Sequence, residues 1–376
     1  MSHENAKGRV LIVGGGVGGI EAALALRDMA GEAIEIVLCS PSSDFLYRPF
    51  ATGEPFGAAE IRRYNLEELV QRIGVSLYPD SVASIDHETG WAFTRDGEEL
   101  AFDYLILATG ARGIWAVPGA ATFWGRDDRA LGGVIAKLRA GLLSSLVFTA
   151  PRGCGWTLPL YELALFSASL LESAGIKGVR LAIATPEEKP LQVFGTGLAE
   201  EVSELLAERD IEVVSGVHPL GVEGGLLNVV PQGEVEASAV VALPTHEGRA
   251  VEGIAHDSKG FVAVDEYCRV TETERLFAVG DVTTFPVKQG GIATQQADTA
   301  AALIAAEVGV EIDPIPFDPV LRAVLWTGKS PRYLHARIKG GKGETPFLSE
   351  EPTAKLSEAK IFGRYLTPFL ASLGHE

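Results

Sequence analysis

The 376-residue sequence predicts an α/β fold of parallel strands covered by helices, and three stretches carry that prediction. In the first, Val10-Leu11-Ile12-Val13 is an apolar run that turns through five glycines and Val17 into a helix rich in Ala and Leu. In the second, the apolar part of 103–112 ends at Ala108-Thr109-Gly110. In the third, a strand in 276–302 ends at Gly280-Asp281, and Lys288-Gln289-Gly290-Gly291 then leads into a long Ala-rich helix. Short continuous apolar runs suit strands buried on both faces, as in parallel sheets.

Taken in order, the first stretch places Gly14, Gly16 and Gly19 in a G-x-G-x-x-G pattern between strand and helix, with Val17 and Gly18 among them. Gly14 permits the tight turn, Gly16 lets backbone approach a pyrophosphate, and Gly19 lets the helix pack on the strand. The free N–H groups at the helix start then face an anion. A second strand follows at 33–38. Dinucleotide folds usually end it with an acid for the ribose hydroxyls; here Cys39 or Ser40 stands there, so Ser40 or backbone must serve. A loop with Phe45, Tyr47, Arg48 and Pro49 comes next, then a helix expected over 61–74 and short alternating strands up to Phe102. In the third stretch Asp281 can accept from polyol hydroxyls, while Lys288 and a fresh helix N-terminus can stabilise negative charge.

Composition narrows the function. Net charge is −18, which argues against nucleic acid as partner. From Val320 onward nine basic residues face five acids, a tail of +4 on a body of −22, suited to docking on its own body or to an interaction surface. No long uncharged apolar run and no secretory leader appear, so a soluble cytoplasmic protein is expected. The three cysteines, Cys39, Cys154 and Cys268, are too few and scattered for a disulfide framework or a zinc site, and no metal is expected.

Together GGGVGG, LILATGAR and LFAVGD resemble the three FAD signatures of the two-dinucleotide-binding-domain flavoproteins in the pyridine nucleotide–disulfide oxidoreductase superfamily. The loop SSDFLYRP and the segment PVKQGGIATQQAD are most similar to sulfide:quinone oxidoreductases and type II NADH dehydrogenases. The resemblance spans about 8–315. It implies two Rossmann-like dinucleotide-binding domains, the FAD domain split in sequence over 1–112 and 251–315. A degenerate second Rossmann-like domain at 113–250 and a C-terminal helical, flavin-covering segment at 316–376 complete the expected architecture. It further implies FAD as cofactor, with Gly14, Gly16, Val17, Gly18 and Gly19 at the diphosphate, Arg48 and Pro49 beside it, and Val82 giving a backbone contact to adenine. Ala108, Thr109, Gly110 and Gly280 would line the cofactor and Asp281 would hold the ribityl chain. Lys288, Gln289, Gly290 and Ile292 would approach the isoalloxazine ring, with Lys288 stabilising its reduced form.

The middle domain departs from the family. Strands at 145–150, 179–184 and 211–214 and helices at 160–174 and 198–209 keep a βαβ frame. The loop APRGCGWTLPLYE, however, lacks the glycine pattern that an NAD(P)H pyrophosphate needs, so nicotinamide nucleotides are expected to bind in the millimolar range or not at all. Its Pro159-Leu160-Tyr161-Glu162 is similar to a helix start in sulfide:quinone oxidoreductases. Their redox cysteine pair is absent, since no cysteine follows Asp281. Cys154 is left as a thiol at the pocket edge, activated by Arg152 or simply buried.

The expected function is transfer of electrons from a small-molecule donor to a quinone-like acceptor. The alternatives are an NAD(P)H:acceptor reductase, with quinone or ferredoxin-type acceptor, and a non-catalytic flavin-binding regulator. The final stretch 360–373 repeats apolar residues at helical spacing, with Lys360 and Arg364 flanking. It is read as a core or dimer face or, in second place, as a peripheral membrane contact.

Overall fold

The computed structural model describes residues 8–126, 128–231, 233–339, 342–346 and 359–374. Two five-stranded parallel sheets form its frame. In the first, the strand order is Leu276–Ala278, Tyr104–Leu107, Gly8–Val13, Ile34–Cys39 and Ser76–Tyr78. The glycine-rich stretch therefore leaves the central strand, and the strand ending at Gly280-Asp281 closes the edge beyond Tyr104–Leu107. Helices Val17–Ala30 and Gly290–Glu307 pack on each other and on this sheet. Their contact faces are mostly Ala and Gly, which lets the two backbones approach closely.

In the second sheet the order is Ala121–Thr122, Ala239–Ala242, Ser145–Thr149, Arg180–Ala184 and Ile211–Val214, with helices Leu158–Ala174 and Thr196–Ala207 over it. The strand and helix expectations for this region hold within two residues at each end. A two-stranded antiparallel ribbon, Ala111–Ile114 with Thr245–Gly248, carries the chain from one sheet to the other and back.

Two local readings change. Residues 61–74 are a short strand, Arg62–Asn65, followed by the helix Leu66–Ile73. The Asn65 side chain caps it by accepting from the Glu68 N–H at 3.0 Å, and Gly74 ends it in the left-handed region, so the cap fixes the start five residues later than periodicity alone does. The final helix is Leu366–Ser372, which puts Pro368 in the first turn, where its missing N–H costs no helical hydrogen bond. Before that helix the C-terminal part forms a three-stranded antiparallel sheet of Val320–Leu325, Arg332–Lys339 and Lys342–Pro346.

The apolar face of the C-terminal stretch lies against the first sheet's helices: Ile361, Leu366 and Leu370 belong to the same buried cluster as Ile20, Leu26 and Ile304. Lys360, read from sequence as a flanking charge, is instead buried, with its Nζ 2.6 and 2.7 Å from the two Glu162 carboxylate oxygens. With Lys329 bound to Glu172 and Arg337 to Asp318, the basic tail docks on its own body. Of that tail, Lys355, Glu350, Glu351, Glu358 and Glu376 lie outside the described residues. Among the described residues no helix is long and apolar enough to cross a membrane.

Candidate functional site

The site lies where the carboxyl ends of the first sheet's strands meet the loop 150–157, which follows the central strand of the second. Gly14 has φ +115°, and a Cβ there would lie 2.4 Å from the Ala108 carbonyl oxygen; a Cβ on Gly19 would lie 1.9 Å from that of Gly14. Gly16 differs, since nothing lies within 4 Å of its Cβ position, and it caps helix Val17–Ala30 with no side chain over the free N–H groups. Two glycines thus seal the turn, and the third leaves backbone open beside a bare helix N-terminus. Val17 and Gly18 continue that first turn, with Gly18 packed against Val279. The cradle fits a diphosphate by the same logic that makes helix N-termini anion sites.

Ser40 is buried under this loop, its Oγ accepting from the Ser42 N–H at 3.3 Å. The Cys39 thiol donates to the Asp80 carbonyl, and burial pushes it up to about 11. Val82 opens the neighbouring strand Val82–Asp86. Arg48 and Pro49 form a 3-10 turn at the cleft mouth. Burial lowers the Arg48 pKa, the charges of Arg126 and Arg249 add to that, and Asp281 opposes it. The charges of Arg126, Arg249 and Asp281 thus all act at Arg48, a balance suited to a ligand carrying negative charge.

Opposite, Ala108 is buried, Thr109 donates its hydroxyl to the Arg249 carbonyl at 2.6 Å, and Gly110 has φ +70° with open space at its Cβ position. Gly280 donates its N–H to Gln296 Oε1 at 2.7 Å, fixing the strand end that carries Asp281. Burial raises the Asp281 pKa, while Lys288, His246 and Arg48 pull it back. Lys288 donates from Nζ to the Thr283 carbonyl at 2.5 Å and lies 4.1 Å from the centre of the Phe261 ring. Burial brings its ammonium down to about 8. Gln289 caps helix Gly290–Glu307 by accepting from the Ile292 N–H at 3.0 Å and also donates to the Arg322 carbonyl. Gly290 and Gly291 then form the first turn of the helix. A Cβ on Gly290 would strike Ile361 at 2.6 Å, so the C-terminal stretch covers that end.

Cys154 stands in the middle-domain loop that meets Lys288, whose N–H donates to the Gly155 carbonyl at 3.1 Å. Its thiol donates weakly to the Trp156 carbonyl, and burial pushes it up to about 11. Burial thus favours the protonated thiol over the thiolate. Cys268 is buried in the first unit's core.

Further polar groups have partners that no local sequence pattern indicates. Buried Glu162 accepts from Lys360 Nζ, the Thr52 hydroxyl and the Trp326 N–H. Buried Glu21 accepts from the Tyr365 and Leu366 N–H groups at 2.9 and 2.6 Å and so ties down the final helix. Glu187 accepts from the Tyr161 hydroxyl at 2.6 Å, and burial raises it to about 7. His246, on the ribbon, has a buried Nδ1 without a partner. Only an acid amid Ala and Leu, as at Glu21, could have been picked out by composition.

The family model of pyridine nucleotide-disulphide oxidoreductases matches residues 8–146 and 162–302, well over half of the chain. A sulfide-quinone reductase of Aquifex aeolicus is 26% identical over 301 residues, covering 74% of this chain and 69% of that protein. An NADH dehydrogenase-like protein of Mycobacterium tuberculosis is 26% identical over 302 residues, covering 73% and 72%. Among solved structures, the sulfide:quinone oxidoreductase of Aquifex aeolicus superposes with a TM-score of 0.79 at 23% identity, over 88% of this chain and 83% of that one, a likeness of fold.

Proposed function

The chain belongs to the pyridine nucleotide-disulphide oxidoreductase family and is an FAD-dependent oxidoreductase; we propose that it draws electrons from a small donor other than NADH or NADPH and delivers them to a quinone or similar acceptor. Bound FAD supplies the acceptance and release of the two electrons. The chain's own residues do the rest. The Gly16 backbone and the first turn of Val17–Ala30 bind the diphosphate, with Arg48 balancing its charge. Asp281 accepts from ribityl hydroxyls. Lys288, part-buried and close to neutrality in pKa, sits with the N-terminus of Gly290–Glu307 to stabilise negative charge in the cleft. Ile361 and the stretch after Lys360 exclude water from that end.

One observation carries the choice of donor. A dinucleotide domain offers the acid after its second strand to the ribose. Here that acid, Glu187, receives the Tyr161 hydroxyl, and fully buried Leu191 and Phe194 fill the space beside it. Trp156 packs edge-on against Phe194 with ring centres 6.0 Å apart. Pro159 removes a backbone donor from the first turn of Leu158–Ala174. Each lost phosphate hydrogen bond weakens binding by about 1.5–3 kcal/mol.

Anaerobic stopped-flow mixing of FAD-loaded protein with NADH, NADPH or sulfide, then with a short-chain quinone, tests the reading. Flavin bleaching by NAD(P)H should need millimolar nucleotide or fail. Saturation at micromolar NAD(P)H would make the chain a nicotinamide-nucleotide:acceptor reductase instead.

A further inference from the structure

His246 plays no part in the reading above, yet its position is singular. In the second sheet, Ser145–Thr149 has Ala239–Ala242 on one side and Arg180–Ala184 on the other, so the chain's connections diverge from that strand in opposite directions. Ligands of open parallel sheets enter at such points, outside the carboxyl ends of the strands. The crevice here runs between the loop 150–157 and the turn into Thr245–Gly248, and the Leu243 N–H, bound to the Thr149 carbonyl at 2.9 Å, closes its floor. Its far wall is Lys288, so close that a Cβ on Gly155 would lie 2.5 Å from the lysine Cγ. His246 pairs with Gly113 across the ribbon, and its Nδ1 is buried with no hydrogen-bond partner. Such a nitrogen is destabilising unless some state of the molecule satisfies it.

We propose that His246 is the proton site of this cleft, neutral while the cofactor is oxidised and protonated at Nδ1 when reduction adds negative charge beside it. The proposal rests on the FAD assignment. Burial and the Lys288 charge hold the imidazole below its usual range, and Asp281 opposes them. Other charged or titratable groups packed around it are accounted for. Arg48 acts on Asp281 from across the cleft and Asp257 acts on Lys288. The ribbon's Glu247 is paired with Arg112, and the Cys154 thiol on the opposite loop stays protonated. An added negative charge within about 4–6 Å lifts a neighbouring cation-forming group by about 1–3 pKa units and so favours protonation of the histidine. In the balance, a protic donor is oxidised by two electrons and gives up two protons. One proton accompanies the electrons to the cofactor, which is reduced, and the other goes to Nδ1. Both leave with the electrons to a quinone acceptor, which becomes the quinol.

The test uses FAD-loaded protein with ¹⁵N-histidine, observed by NMR at pH 7 before and after anaerobic reduction by dithionite, with His246→Gln to assign the signal. The His246 nitrogens should shift from a neutral to an imidazolium pattern on reduction. The midpoint potential of the wild type should also fall more steeply with pH than that of His246→Gln, by one proton per two electrons. A His246 signal unchanged by reduction, or superimposable potential–pH lines, would overturn the proposal. Protein that stays colourless after incubation with FAD would instead overturn the cofactor assignment beneath it, a distinct failure.

Discussion

The Glu162 carboxylate and the Lys360 ammonium form the most buried ion pair among the described residues, with side chains 1% and 6% exposed. The two charges are matched by further hydrogen bonds: Thr52 and the Trp326 N–H serve the carboxylate, and the Trp326 ring lies 4.1 Å from the ammonium. Removing one partner strands a charge in the core at a cost of about 3–5 kcal/mol, whereas removing both leaves little to desolvate. Lys360→Met should therefore lower the denaturant midpoint strongly, and Lys360→Met with Glu162→Gln should recover most of the loss. Equal midpoints for single and double variants would show that the pair acts independently. Residue by residue, what was legible in the sequence was what acts locally. Gly14 and Gly19 are needed by the shape of their own turn, and their spacing says so. Glu162 and Lys360 are 198 positions apart, and no local period links them. Lys360 therefore read as a surface flank.

At the scale of elements, the stretch 359–374 behaves as a strap fastened at successive points. The Tyr47 hydroxyl receives the Lys360 and Ile361 N–H groups, and Glu21 receives those of Tyr365 and Leu366. Behind Glu21, on helix Gly290–Glu307, stands Asp298, which burial and the Glu21 charge raise to about 8, with Arg364 opposing. The sign follows from linkage. An aspartate with an unfolded pKa near 3.9 and a raised folded value stabilises the fold fully below the lower value. That contribution is lost as pH climbs from about 4 to about 8, by at most about 1.4 kcal/mol per pH unit. Asp298→Asn should remove that dependence. The wild type should thus lose stability relative to the variant between pH 5 and 8, as read by denaturant midpoints. Parallel midpoint curves would place the Asp298 proton elsewhere. The strap's existence was half legible: apolar spacing in 361–373 marked a buried face, but Glu21 as its anchor depends on two helices meeting far apart in sequence.

At the scale of the whole molecule, both sheets were legible because buried parallel strands announce themselves as short apolar runs, and the boundaries held where β-branched runs stop. The middle domain's departure from the family was legible only as missing glycines; that Tyr161, Leu191 and Phe194 are fully buried there is a tertiary fact. The strand order of the first sheet has a further consequence, for biosynthesis. Tyr104–Leu107 is an interior strand only because Leu276–Ala278 lies beside it. While a ribosome makes the entire second sheet, the first one waits with an open, apolar edge and half a cofactor cradle. Ribosome-bound chains exposing residues 1–250 should therefore fail to retain FAD and should engage chaperones that read exposed apolar strands, whereas release of the full chain should let flavin load at once. Flavin fluorescence of purified nascent complexes measures this directly, and retention by the shorter chain would contradict it. Cofactor capture is thus timed by the order of the strands and comes late in the life of the nascent chain.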